Sequence, residues 1–154
     1  MSLLSRVLEV VPDRVAGHLR ELHSLDFVFP SAQEPELMYS FKHALTQDVV
    51  YAGVLERRRR QHHAAAGHGL EELYSGRIDD VVEFLAHHFG RSAEAEKAVD
   101  YDILAAAKAQ RRWANTEALA FFEDAVKRLE AMPDTEANRL RRIEIGRASC
   151  RERV

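Results

Sequence analysis

Apolar residues return every three or four positions along most of this chain, and only one stretch breaks that rhythm. Val15, Leu19 and Leu22 lie four and three residues apart behind Pro12. A first helical turn tolerates proline because its missing N–H would be unpaired there anyway, so a short amphipathic helix is predicted. Residues 1–10 read as the end of another helix. Between residues 25 and 43 the period shortens to two: Asp26-Phe27-Val28-Phe29-Pro30 is aromatic and β-branched, and Leu37-Met38-Tyr39-Ser40-Phe41 alternates again. Turn formers and Pro35 lie between them, which predicts one β-hairpin.

After the hairpin, Thr46 can cap a long helix. Its apolar positions Tyr51, Leu55, Ala66, Leu70 and Leu73 fall within about 100° of one another, with Gly67 and Gly69 expected to weaken or kink its later part. Ile78, Val81, Val82, Leu85 and Phe89 then follow the helical spacing, and Gly90 stands where a left-handed C′ residue belongs. Ser92 opens the next predicted helix, with Ala98, Tyr101, Ala105 and Ala109 on one side and Trp113 near its end. Asn115 or Thr116 begins the last convincing one, whose stripe of Leu119, Phe122, Val126 and Leu129 runs until Pro133 stops it. The expected fold is mainly α: one small hairpin followed by short antiparallel helices.

Composition supports that pattern, with only seven Gly and four Pro in 154 residues. The length fits one or two small domains with a normal core. The single cysteine, Cys150, can build neither an internal disulfide nor a cysteine zinc site, and a reducing, cytoplasmic setting is expected. No apolar run approaches the roughly 18 residues that a membrane helix needs. With 22 basic against 25 acidic residues the net charge is −3, which offers no global attraction to nucleic acid or an anionic membrane.

Two segments carry a family pattern. Leu85-Ala86-x-x-Phe89, with Ala98 and Ala105 behind it, resembles a tetratricopeptide repeat, and Ala118-x-x-x-Phe122-x-x-Ala125 resembles the second helix of another. The repeat is degenerate: no Trp takes the first position, Ala86 replaces the common Gly, and Ala98 and Ala118 are 20 residues apart instead of a full repeat length. The stronger likeness is Tyr39-Ser40-Phe41-Lys42-His43-Ala44-Leu45-Thr46-Gln47-Asp48-Val49-Val50-Tyr51, running on into Leu55-Glu56-Arg57-Arg58-Arg59-Arg60-Gln61-His62-His63. It resembles the junction in bacterial STAND-type signal-transduction ATPases, particularly those fused to class III adenylate or guanylate cyclases. There an ATPase core ends in a winged helix, followed by an arm helix and tetratricopeptide repeats.

The resemblance implies a partial winged-helix subdomain over residues 1–45, an arm or linker helix over 46–76, tetratricopeptide-like repeats over 77–133 and the start of a further helix over 134–143. It implies a non-catalytic regulatory and protein-interaction segment of a larger ATPase or cyclase. Its partners would be proteins bound through the helical repeats, and an ATPase core contacted within the same parent. ATP or ADP would belong to the parent alone, because the Gly-x-x-x-x-Gly-Lys-Ser/Thr loop and the cyclase motifs are missing from this sequence. By the same resemblance His43 would be a nucleotide-phosphate sensor in the intact parent. A strand-end histidine bonded to backbone is the plainer reading. A standalone tetratricopeptide scaffold and part of a STAND-type transcriptional activator are the alternatives.

The remaining chemistry reads as structural. Arg57, Arg58, Arg59 and Arg60 point in four directions at 100° per residue and form no compact basic stripe; Arg58 and Arg59, nearest the apolar side, are expected to snorkel or pair with acids. Residues 1–44 carry four basic against six acidic side chains, the wrong sign for a duplex reader. His62 with His63, His68, and His87 with His88 lack the i, i+4 spacing of a helical zinc site, so no metal is expected. Asp79, Asp80, Glu83, Glu123 and Asp124 read as solvated polar faces, and Tyr101, Trp113 and Phe122 as core. Residues 144–154 resemble the in-frame translation of a sequencing-library adaptor, which would make that tail, Cys150 included, an artefact, and Met1 an internal methionine.

Overall fold

The computed structural model describes residues 3–33 and 36–151. The hairpin turn expected at Glu34 and Pro35 lies outside the described residues, as do Met1 and residues 152–154 of the adaptor-like tail. The described chain is mainly helical with one small antiparallel sheet.

Helices α1 (Leu3–Leu8) and α2 (Pro12–Ser24) precede strands β1 (Val28–Gln33) and β2 (Glu36–Phe41). The strands pair from Val28↔Phe41 to Gln33↔Glu36. Pro30 is accommodated because a strand of a two-stranded sheet has an edge whose N–H groups need no partner. The hairpin is tied to α2 by the Nδ1–H of His23, which donates to the Val28 carbonyl at 3.0 Å, and Val28 is the strand residue buried there.

The expected long arm helix is two helices, α3 (Ala44–Gly53) and α4 (Glu56–Leu73), separated by extended Val54 and Leu55. Gly53 and β-branched Val54 together weaken the helix at that point. His43, and not Thr46, holds the cap position of α3. The predicted stripe is thereby split: Ala66 and Leu70 are buried on α4, whereas Tyr51 and Leu55 stay exposed. Neither Gly67 nor Gly69 interrupts α4. Their role is close approach, since a Cβ at Gly67 would lie 2.7 Å from the Phe89 ring and one at Gly69 2.6 Å from Leu3.

A 3-10 turn (Ile78–Val81) leads into α5 (Val82–Phe89), and α6 (Ala95–Arg111), α7 (Asn115–Ala131) and α8 (Glu136–Arg151) follow. Gly90 is right-handed at φ −59°, not the expected left-handed stop, because the chain keeps turning through Arg91 N–H to His88 O and Ser92 N–H to Phe89 O. A side chain there would meet the Arg128 guanidinium at 2.5 Å. Ser92 precedes α6 and accepts the Glu94 N–H at 3.0 Å.

The start of α5 pairs with the end of α6 through Glu83–Lys108, and the end of α5 stacks on the start of α6 through Phe89 and Tyr101, so the two run antiparallel. Leu70, Val81, Leu85, Phe89 and Ala98 form one core cluster, and Val99, Ala106, Phe122, Ala125, Leu129 and Ile145 another, with Val82, Ala86 and Ala105 as a third. Alanine is the commonest buried residue, and its small side chain lets α5, α6 and α7 approach closely. Trp113 departs from its expected core role: it lies in the α6–α7 connection at φ 59° and is 89% exposed. Residues 144–151 continue α8, and Ile145 fills the core beside Phe122 and Leu129.

Candidate functional site

His43 is exposed at the β2–α3 junction, and its ring makes no cap hydrogen bond. Beside it Lys42 pairs with Asp26 at 3.0 Å, and that bond, ahead of the charges of His23 and His43, holds the Asp26 carboxyl below its ordinary value. His43 lines none of the grooves described below.

The arginine run disperses as its phase requires. Arg60 pairs with Glu56 one turn back. Arg59 is half-buried, with its guanidinium 5.0 Å from the Tyr51 ring centroid, so it reaches an aromatic face instead of an acid. Arg58 is exposed and, among the described residues, has no ion pair.

A histidine cluster that spacing within one helix could not reveal forms across α3, α4 and α5. His63 Nδ1 lies 3.1 Å from His88 Nδ1, so one ring donates and the other accepts. Tyr51 Oη is 3.0 Å from His63 Nε2, and Arg91 donates to His87 Nδ1 at 3.0 Å, which places the His87 proton on Nε2. Among the described residues no carboxylate lies within ion-pair distance of these three rings. Burial, followed by the mutual repulsion of the histidines and the charge of Arg91, lowers His63 and takes His88 to about 4. Burial and Arg91 lower His87.

Tyr51, Arg59 and Arg91 also line an open groove of about 590 Å³ between α4, the α5–α6 turn and the end of α7. Behind His87 a smaller groove of about 260 Å³ carries Glu83, Asp102, Asp124 and Arg128. Those acids are committed: Glu83 to Lys108 at 2.7 Å, Asp102 to Arg128 at 2.8 Å and Asp124 to Lys127 at 3.6 Å. Asp79 likewise accepts from Arg111 at 2.6 Å, so two acids expected to be merely solvated tie α6 down, Asp79 to the turn before α5 and Glu83 to the start of α5 itself.

A second polar network ties α4 to α6. Glu71 accepts from Lys97 at 2.6 Å and from Tyr101 Oη at 2.6 Å, and His68 bridges Glu71 and Glu94. Burial raises Glu71, but these bonds outweigh it and hold the carboxyl below its ordinary value; burial and Glu71 push the Tyr101 phenol up. The ring stacks on Phe89 in the core while its hydroxyl closes the network, which explains a tyrosine here. Among the described residues no three His, Cys, Asp or Glu side chains converge as metal ligands would, and no helix is long and apolar enough to cross a membrane.

No family model, curated protein or solved structure matches this chain.

Proposed function

We propose that this chain is a cytoplasmic, non-catalytic regulatory and protein-interaction segment of a larger STAND-type ATPase or adenylate/guanylate cyclase. The observation that carries the interaction role is the apolar surface of α3. Leu45, Val49 and Val50 are more than half exposed, no residue of α3 is buried, and Phe27, Phe29 and Phe41 of the neighbouring hairpin are exposed as well. Such a surface is costly in water and suits a docking role. The order of helix, hairpin, helix pair and helical array agrees with the junction that the sequence resembles, with His43 at the strand-to-helix corner as the phosphate sensor of the parent.

Purified protein is expected neither to hydrolyse ATP nor to bind ADP; either activity overturns the proposal. The reading frame upstream should encode a phosphate-binding loop. The ATPase core expressed from it should bind this chain and lose it on Leu45→Glu with Val49→Glu. The standalone scaffold is favoured by the way α4 to α8 bury a core among themselves. Flanking sequence with repeats alone would select it.

A further inference from the structure

We propose that Tyr51, Arg59 and Arg91 line a binding site for a doubly charged, phosphate-type oxyanion, and that the His63, His87 and His88 rings behind it couple anion binding to proton uptake. This goes beyond the role proposed above and does not depend on it.

The groove's charge carries the first half. Arg59, Arg60, Arg91 and Arg128 line it against the single carboxylate of Glu56. Arg60 is held by Glu56 and Arg128 by Asp102, which leaves Arg59 and Arg91 uncommitted to any acid among the described residues. Both are instead held by rings, Arg59 over Tyr51 and Arg91 on His87, so their orientation is set before a ligand arrives. A guanidinium offers paired N–H donors at the spacing of phosphate or sulfate oxygens, and fixing it beforehand lowers the entropic cost of binding. This local positive excess stands in a chain of net charge −3, so overall attraction does not account for it.

The second half follows from what surrounds the imidazoles. His63 faces Tyr51 of α3, Arg59 and His62 of its own helix, and His87, His88 and Arg91 beyond. His88 faces His63, His87 and Arg91. His87 faces Arg91 and His63, with Glu83, Asp102, Asp124 and Arg128 across the smaller groove. Positive neighbours and burial keep the rings neutral, and a dianion on Arg59 and Arg91 offsets that repulsion. By linkage, an anion that draws protons in must bind more tightly as pH falls.

Sulfate is the probe for the coupling, because its charge is constant where phosphate itself titrates. Binding to the full chain is followed by calorimetry and by histidine ring resonances at fixed ionic strength. Saturable binding is expected, tightening about fivefold or more from pH 8 to pH 5.5. Arg59→Ala with Arg91→Ala should weaken it about tenfold or more, and the matching Lys pair should restore part of it. His63→Asn should reduce the pH dependence strongly, and His87→Gln, whose amide oxygen can still accept from Arg91, should reduce it less. Inorganic phosphate and a phosphoserine peptide, compared at pH 8, separate a free ion from a phosphorylated side chain as the source. Absence of saturable binding, or binding indifferent to the arginine pair, overturns the site. Binding with no pH dependence overturns the coupling.

Discussion

Asp102 is 2% exposed, and nearly everything that keeps it charged is one side chain. Arg128 donates Nε–H to its carboxylate at 2.8 Å and a second N–H to the Gly90 carbonyl at 3.0 Å, joining α6, α7 and the α5–α6 turn. Arg128→Ala strands a buried carboxylate and should cost about 3 kcal/mol, read from urea unfolding; replacing Asp102 by Leu and Arg128 by Met together should recover most of it. Burial lifts Asp102 to about 6 in spite of Arg128. Its folded state therefore holds a proton more readily than the unfolded chain, so its stabilisation is full below about pH 3.8 and is lost as pH rises through 6. His88 has the opposite sign. It stays neutral down to about 4, so its contribution is present above pH 6.5 and is lost as pH falls to 4. Unfolding midpoints between pH 7.5 and 4, measured without divalent anions, should fall less steeply in His88→Gln and more steeply in Asp102→Asn.

At the scale of elements, two helical glycines answer to different neighbours. A Cβ at Gly17 in α2 would meet nothing within 4 Å, whereas one at Gly67 in α4 would meet the Phe89 ring at 2.7 Å. Gly17→Ala should stabilise by about 0.5 to 1 kcal/mol through helix propensity. Gly67→Ala should destabilise by about 1 kcal/mol, because forcing Phe89 aside costs more than propensity returns. Thermal unfolding of the two variants checks both signs. The same contrast explains what the sequence disclosed. The hairpin and the helices around Leu85, Ala105 and Phe122 were legible because their periods of two and about 3.6 state which face is buried. The α3–α4 break was not, because Tyr51 and Leu55 continue the phase of Ala66 and Leu70 across residues that leave the helix. Gly67 and Gly90 read as local punctuation, while their reason lies 22 and 38 residues away, in Phe89 and Arg128.

Across the whole molecule, buried and unburied apolar surface are unevenly shared. The packed clusters draw on α4 to α8, whereas α3 and the outer hairpin face leave leucine, valine and phenylalanine in water. Leu45→Glu with Val49→Glu should change stability by no more than about 0.5 kcal/mol, since neither side chain supports the core. It should also lower self-association, measured by sedimentation, and the binding of an apolar dye. The candidate site was illegible at this scale for a related reason. His63 and His88 are 25 residues apart, and nothing in either helix's own spacing announces that α4 and α5 set their rings together. The arginine run was visible, yet which of its members lacks an acid depends on Glu56 one turn before Arg60 and on Tyr51 of α3, whose ring takes Arg59.

Trp113 is the one tryptophan in the chain, and it stands in water on the α6–α7 connection. The intrinsic emission of this protein under red-edge excitation, where tyrosine no longer absorbs, is therefore that of a solvated indole, and it is nearly blind to repacking of the helices. It becomes a reporter of contact instead. A partner that covers this connection shifts the emission to the blue and shields it from iodide, whereas one that docks only on α3 leaves the signal unchanged.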